Sequence, residues 1–282
     1  IPVQSSWRDR HELLGYNNEF TKRFTESEFT TALYEACLPM NQQTPHLIVL
    51  DEMNLARVEY YFADFLSILE EPNPENWMVS LLSYNPYTIP DSWPRQLIDG
   101  RLIKVPTNVW FVGTANQDES TFEITDKVYD RAQILSFSER HEPFAVKNNS
   151  NPVPVSSRTL KLAFENAISI PEYQIKDIEL DFIHQVDMKL QLELDITFGN
   201  RIMSQLLRYV PVYTACGGLK WDAIDLFIAR KVFRKFEERY DPYMQTALEE
   251  LRELLQHGPT GANMRCCLDI INKKKQRLSG VK

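Results

Sequence analysis

Cysteines, long apolar runs and metal-ligand spacings are scarce in this chain of 282 residues. Its four cysteines, Cys37, Cys216, Cys266 and Cys267, have no C-x-x-C spacing, and the adjacent pair is poorly placed to form a disulfide with itself. We therefore expect reduced thiols and a cytoplasmic setting. The five histidines are scattered, without metal-ligand spacing to cysteines or carboxylates, which argues against a zinc site.

Two further absences concern membranes and nucleic acid. No apolar stretch is long enough to cross a bilayer, and no charged-then-apolar leader begins the chain, so we expect no membrane insertion. A formal net charge of -8 argues against a chain that binds nucleic acid over its whole surface, although a local basic patch is compatible with this charge. With 43% hydrophobic residues the chain can bury a core.

What is present is a short apolar run that ends in two adjacent carboxylates, HLIVLDEMN at residues 46–54. Leu47 to Leu50 form the kind of continuous apolar run that is typical of a strand buried on both faces. A second run, Val109 to Val112 in NVWFVGTANQ, is followed by Thr114 and Asn116. Because open α/β sheets bind ligands at the carboxyl ends of their strands, we predict that these polar groups share one site.

The carboxylates after the first run, Asp51 and Glu52, match the Walker B signature of P-loop nucleoside triphosphatases. In such a site Asp51 holds a hydrated Mg²⁺, and Glu52 reaches the attacking water from another direction because successive strand residues point to opposite faces. The amide of Asn116 can hydrogen-bond that water or a terminal phosphate oxygen. The alternative is that all three residues belong to turns after strands.

The phosphate loop that normally accompanies this signature is missing. No G-x-x-x-x-G-K-S/T motif occurs in the chain, which begins Ile-Pro-Val rather than with methionine. We interpret the chain as a fragment whose preceding residues carry the loop. On its own we expect it to be inactive and to bind nucleotide weakly or not at all, because the backbone donors and lysine that cradle phosphates are absent.

Between the two runs, ARVEYYFADFLSILEE predicts one helix, striped on one face by Val58, Phe62, Phe65, Leu66 and Leu69. The segment that follows is rich in proline, asparagine and serine. Within it, Val79 to Leu82 and Arg101 to Val105 are candidate strands of a hairpin or insertion.

A composition break at Pro143 to Ser157 has the character of an interdomain linker. We therefore predict a first domain at residues 1–145 and a second at residues 146–282. The second should be a helical bundle, because apolar spacings of three and four recur in Thr159–Ile168, Asp177–Leu190, Arg201–Tyr209, Ala223–Tyr240 and Tyr243–Gln256. The closing INKKKQRLSGVK is interpreted as a solvated basic tail.

Longer stretches carry a resemblance to a known family. LIVLDEMNLARVEYYFADFLSILEE and VPTNVWFVGTANQDESTFEITDKVYDRAQILSF resemble the Walker B and sensor 1 regions of AAA+ proteins of the McrB-like branch. The resemblance covers most of residues 3–138 and, more weakly, FGNRIMSQLLRYV and DLFIARKVFRKF, which are similar to the helical lid. It implies an α/β fold with an AAA+ type parallel sheet and flanking helices, lacking its N-terminal part, followed by an all-helical lid.

The resemblance also implies roles for individual residues. Asp51 and Glu52 would be the Walker B pair, Asn116 the sensor 1 residue, and Arg131 in DKVYDRA an arginine finger offered to the neighbouring subunit. Arg201 would be the sensor 2 arginine of the lid. A finger supplied by a neighbour makes hydrolysis depend on assembly, so a homo-oligomeric ring, a hexamer, is implied, with Mg²⁺ as cofactor.

Both arginines have alternative interpretations. Arg131 could simply pair on the surface with Asp126 or Asp130, an interaction worth little to stability. Arg208 could serve in place of Arg201, and both could be ordinary solvent-facing arginines of a bundle helix.

The substrate and the biological role stay open at this point. McrB-type GTPases have an M-N-x-x-D run near sensor 1. Here Ala115 precedes Asn116, and the acid, Asp118, comes one place sooner. ATP and GTP are therefore both candidate substrates. The family association is with DNA restriction and defence, with an effector or nuclease subunit as partner and DNA reached through domains missing here. The alternative is a non-catalytic AAA-like scaffold or interaction subunit.

Overall fold

The structure, a computed structural model, describes residues 1–18, 20, 23–82, 96–116, 118, 121–137, 142, 153–237, 244–259 and 262–280. The chain divides into two compact units, Ile1–Lys161 and Leu162–Lys282. The division falls within a helix, beyond the boundary that the sequence predicts at residue 145. Most of the predicted linker, residues 143–152, lies outside the described residues.

The first unit is a mixed α/β structure of short elements. In chain order they are α1 (Arg10–Leu14), β1 (Gly15–Asn18), β2 (Arg23–Glu26), α2 (Glu28–Cys37), β3 (His46–Leu50), α3 (Val58–Tyr61), α4 (Ala63–Ile68), β4 (Met78–Ser80), β5 (Leu102–Lys104), β6 (Val109–Gly113), α5 (Asp126–Tyr129) and the start of α6 (Ser157–Ser169). The strands pair two by two: β1 with β2 and β4 with β5 antiparallel, β3 with β6 parallel.

The parallel pair β3–β6 organises one end of this unit. Leu50 lies opposite Gly113, so both strands end at the same edge, which confirms the predicted convergence of their carboxyl ends. On the other side of β3 the first residues of the chain run beside its end. The Val3 N–H donates to the Asp51 carbonyl at 3.0 Å, and the Asp51 N–H donates to the Ile1 carbonyl at 2.9 Å.

The expectation that these two strands are buried on both faces is wrong. Ile48 and Leu50 are buried at 4% and 1% exposure, on the face that meets the core. The opposite face presents four partly or largely exposed apolar side chains, Leu47, Val49, Trp110 and Val112. Because successive strand residues point to opposite faces, only one face of the pair meets the core formed by the described residues.

The segment predicted as one helix is divided into α3 and α4 at Phe62, where φ is -105° and ψ is 9°. The buried side chains nevertheless keep helical spacing: Val58, Tyr61, Phe62, Phe65 and Leu66. Leu69, which the predicted stripe includes, is 37% exposed. Phe65 lies at the centre of an aromatic cluster, with ring centroids 5.0 Å from Phe29 and 5.3 Å from Phe111.

The predicted hairpin is present between α4 and β6. Strands β4 and β5 pair antiparallel with Val79 opposite Ile103, and both side chains are buried. The intervening residues 83–95 lie outside the described part of the chain. Val79 and Ile103 belong to the core of the first unit, so one face of the β4–β5 pair packs against that core.

The second unit, as far as it is described, is helical. After α6 come α7 (Asp177–Leu194), α8 (Gly199–Ala215), α9 (Lys220–Ile228), a π-helical turn (Ala229–Phe233), α10 (Arg234–Glu237), α11 (Met244–Gln256) and α12 (Arg265–Leu278). Its core draws side chains from α7, α8, α9, α11 and α12. None of the helices in the described residues is long and apolar enough to cross a membrane.

Helix α12 corrects the interpretation of the C-terminal residues as a solvated tail. The helix continues to Leu278 and buries Cys267, Ile271 and Lys274. Its first turn is held by Asp225 of α9, whose carboxylate accepts the N–H groups of Cys266 and Cys267 at 2.7 and 2.9 Å. The sequence pattern missed this helix because lysines crowd its second half, and one of them is buried.

The four cysteines are free thiols. Burial raises the pKa of Cys37 and of Cys266 to about 11, and it raises the pKa of the fully buried Cys267 well above its usual value. The Cys37 thiol donates to the Lys104 carbonyl at 3.1 Å. These three thiols are therefore protonated at neutral pH and act as packing groups.

Candidate functional site

The turn after β3 carries the two adjacent carboxylates in an unusual backbone conformation. Glu52 has φ 53° and ψ 47°, the left-handed region, which costs an L-residue roughly 1–2 kcal/mol. This conformation takes Glu52 out of the alternation of β3 on which the sequence argument relied. Local strain of this kind persists where surrounding contacts hold it in place.

Those contacts come from Thr114, directly after β6. Its N–H donates to the Leu50 carbonyl at 3.0 Å, and its carbonyl accepts the Met53 N–H at 2.8 Å. Its hydroxyl accepts the Glu52 N–H at 2.8 Å and donates to Asp51 Oδ1 at 2.7 Å. Every polar group of Thr114 therefore binds the turn at residues 50–53.

Asn116 completes the group of polar side chains at this edge. Its Nδ2 lies 3.5 Å from Glu52 Oε1, a long hydrogen bond that a water or a ligand can readily displace. The side chains of Asp51, Glu52 and Asn116 are all exposed. The structure thus brings together three of the residues that the sequence singled out.

Asn54 fixes the loop that carries Asn116. It is only 3% exposed, and its Nδ2 donates to the carbonyls of Asn116 and Phe122 at 2.7 and 3.2 Å. Its Oδ1 is buried without a hydrogen-bond partner among the described residues. The sequence patterns did not identify Asn54 as a site residue, and they identified Thr114 only as a residue at a strand end. Their one signal in the sequence is nearness to the carboxylates and to Asn116.

Arg131 is engaged within its own chain. Its Nε donates to the Leu66 carbonyl at 2.9 Å, its Nη1 donates to the Lys127 carbonyl, and it forms an ion pair with Glu70. The side chain is 16% exposed. A cation beside the last carbonyls of α4 is favourably placed against the helix dipole. The arginine-finger role stays a prediction, and in this arrangement it requires Arg131 to exchange these contacts for others.

Arg201 belongs to the second unit. It lies in the first turn of α8, where the side chain is exposed, and Arg208 two turns later is exposed as well. The start of this helix is held by Asp187, whose Oδ1 accepts the Phe198 N–H at 2.8 Å. The choice between the two arginines for sensor 2 stays open.

The predicted magnesium ion can be compared with the side chains that the described residues place at this edge. They contain no group of three or more histidine, cysteine, aspartate or glutamate side chains that could hold a metal ion unaided. Mg²⁺ commonly keeps several waters and binds through one or two carboxylates plus substrate phosphates, so a single exposed carboxylate such as that of Asp51 suits it.

Two carboxylates, an amide and a hydroxyl therefore converge at one sheet edge. A carboxylate here can accept a proton from water, and the amide can orient that water. None of the four groups is cationic, so a polyphosphate held here needs positive charge from elsewhere. No protein-family model matches this chain, and a search of curated proteins finds no match.

Proposed function

We propose that this chain provides the metal-binding and water-activating half of a nucleoside triphosphatase site in an AAA+ protein of the McrB-like branch. The observation that supports it best is the meeting of Asp51, Glu52 and Asn116 at one end of the parallel pair β3–β6. A nucleotide bound here also needs a phosphate cradle, and the 282 residues contain no phosphate-loop motif. The site is completed between subunits of a homo-oligomeric ring, a hexamer.

Each of the three residues has a distinct task in this proposal. Asp51 would hold Mg²⁺, which would supply positive charge against the phosphates. Glu52 accepts a proton from the attacking water, and Asn116 orients that water or a terminal phosphate oxygen. The bond from the water oxygen to the terminal phosphorus forms as the bond to the leaving diphosphate breaks.

The arginines supply the positive charge that the sheet edge lacks. Arg131 acts across the subunit boundary, which requires release from Glu70 and from the Leu66 carbonyl. Arg201 has the role of the sensor 2 arginine of the lid in this proposal. Because an arginine that leaves an ion pair on assembly contributes charge only in the ring, hydrolysis is coupled to oligomerisation. ATP and GTP are both kept as substrates, and the role of the motor in DNA restriction or defence, with an effector or nuclease partner, is part of the proposal.

Two observations favour a second function, a non-catalytic scaffold subunit of AAA type. Arg131 is fully engaged within its own chain, and no phosphate-loop motif occurs in the 282 residues. In a scaffold the arginine would serve only to join the loop after α5 to the end of α4. Turnover and its dependence on Glu52 distinguish the two functions.

The deciding experiment is the variant Glu52→Gln in the full-length gene product. Loss of the general base should lower kcat for ATP or GTP by roughly 10²–10⁴-fold, whereas nucleotide-dependent assembly persists because the amide keeps the shape of the side chain. Glu123→Gln, which neutralises an exposed carboxylate outside the site, is the matched control and should leave turnover unchanged.

Steady-state phosphate release and size-exclusion chromatography with nucleotide provide the two measurements. Equal turnover in the wild type and in Glu52→Gln would contradict the assigned role of Glu52. A wild-type protein that assembles but releases no phosphate would favour the scaffold function.

A further inference from the structure

We infer that Thr114 is a positioning residue, which sets the direction of the Asp51 carboxylate and the backbone conformation of Glu52. This inference rests on the proposed function, since it names the residue that gives the carboxylate pair its geometry. It is based on four hydrogen bonds between one residue and the turn at residues 50–53.

The direction of the two hydroxyl bonds follows from the chemistry of the groups. The Glu52 N–H can only donate, so the Thr114 hydroxyl is the acceptor at 2.8 Å. The single proton of that hydroxyl is then free to point at Asp51 Oδ1, 2.7 Å away. The Thr114 side chain thus orients the carboxylate of Asp51 and holds the peptide group between Asp51 and Glu52.

The peptide matters because Glu52 is in the left-handed region, with φ 53°. An extended Glu52 would continue the alternation of β3, and its carboxylate would leave the edge that Asn116 shares. The N–H groups of Glu52 and Met53 both point at Thr114, one at its hydroxyl and one at its carbonyl, whereas successive N–H groups of an extended strand point to opposite sides. The hydroxyl bond, together with the backbone bond, therefore favours the observed left-handed conformation of Glu52 over an extended one. Thr114 therefore keeps the Glu52 carboxylate within 3.5 Å of Asn116.

Thr114 can be changed with little effect on the fold. Its two backbone hydrogen bonds, to Leu50 and Met53, do not involve the side chain. Thr114, Asp51 and Glu52 are exposed, so water can replace the hydroxyl as a partner. A hydroxyl-free side chain should then free the orientation of the carboxylates without unfolding the first unit.

The first test is amide hydrogen exchange of the 282-residue chain, resolved at Glu52. Thr114→Val removes the hydroxyl and keeps the shape, Thr114→Ala removes it with a smaller side chain, and Thr114→Ser retains it. Thr107→Val, in the exposed turn before β6, is the matched control. We expect faster exchange of the Glu52 amide in the valine and alanine variants and wild-type exchange in the serine variant and the control.

The second test is nucleotide hydrolysis by the full-length gene product with the same substitutions. Loss of a residue that orients a metal-binding or reacting group typically costs about 10–100-fold in activity. We expect that loss in kcat for Thr114→Val, with KM changed by less than about threefold because substrate binding is not removed. Thr114→Ser should restore kcat to within about threefold of the wild type.

Each outcome is decisive. Unchanged exchange at Glu52 in both hydroxyl-free variants would refute the hydrogen bond, and faster exchange with unchanged kcat would refute its role in positioning. If Thr114→Val lowers the melting temperature strongly, Thr114→Ala takes its place, and a loss that serine does not restore refutes the proposal. A wild type without turnover overturns the proposed function and the catalytic role together, while exchange still decides whether Thr114 holds the turn.

Discussion

Replacing Asp225 with alanine should destabilise the second unit more than most single substitutions. Asp225 is 3% exposed, and its two carboxylate oxygens accept the N–H groups of Cys266 and Cys267 in the first turn of α12. These N–H groups have no partner within their own helix. Met264, at the N-cap, makes no side-chain capping bond. The cap of α12 is therefore supplied by α9.

The magnitude follows from the two bonds that are lost. A hydrogen bond to a charged group is worth roughly 1.5–3 kcal/mol, and removal of the carboxylate leaves one buried and one part-buried donor unsatisfied. Both bonds share one carboxylate, so their energies do not simply add. We expect Asp225→Ala to lower the free energy of unfolding of the second unit by about 3 kcal/mol. Asp225→Asn keeps one acceptor oxygen and should cost roughly half as much.

Urea unfolding followed at Trp221 measures this effect. Trp221 is the only tryptophan in residues 162–282, and it packs edge-on against Phe182 with ring centroids 5.6 Å apart. In protein labelled with fluorotryptophan, the fluorine NMR signal of residue 221 therefore reports on the unfolding of the second unit. With a urea dependence of about 2 kcal/mol per molar, the midpoint should fall by roughly 1.5 M.

The matched control for this substitution is Asp269→Ala, which removes an exposed aspartate from α12 itself. It should change the free energy of unfolding by less than about 0.5 kcal/mol. A loss below about 1 kcal/mol for Asp225→Ala, or a loss equal to that of the control, would show that the first turn of α12 does not depend on this cap.

Three further predictions concern the chain by itself. Calorimetry with ATP or GTP and Mg²⁺ should give no binding in the micromolar range, because the phosphate-cradling donors and lysine are absent, and micromolar affinity would contradict this. Iodoacetamide at pH 8, added to the folded chain, should label the exposed Cys216 before Cys37, Cys266 and Cys267. Mass spectrometry of the labelled peptides gives the order. The pKa of each of the last three thiols is higher in the folded chain than in the unfolded chain, so these thiols ionise first in the unfolded chain. Their contribution to stability is therefore complete below the usual thiol pKa and is lost as the pH rises towards about 11. Melting temperatures that do not fall over this pH range would refute the burial of these thiols.

The sequence predicted the order of the elements around the site because that order follows from local patterns. Apolar runs followed by polar residues located β3 and β6, and spacings of three and four located the buried side of α3 and α4. The same patterns could not distinguish a strand buried on both faces from one buried on a single face. An apolar run reads alike in both cases, and only the neighbouring layers decide which side chains are covered.

Helix α12 shows the corresponding limit in the second unit. Its lysine-rich second half favours a solvated tail on composition alone. In the structure the helix is anchored by Asp225, which is some forty residues earlier in the chain, and Ile271 and Lys274 are buried against other helices. Because long-range contacts supply both the cap and the burial, no local pattern identifies this helix.

The sequence by itself determined that Asp51, Glu52 and Asn116 follow two strands, and hence that they could share one sheet edge. The tertiary structure alone decided how they are held: the left-handed turn at Glu52, the four hydrogen bonds from Thr114, and the engagement of Arg131 with the end of α4. The physical reason is separation along the chain. Local propensity acts over a few residues, whereas the bonds that orient this site join groups more than sixty residues apart.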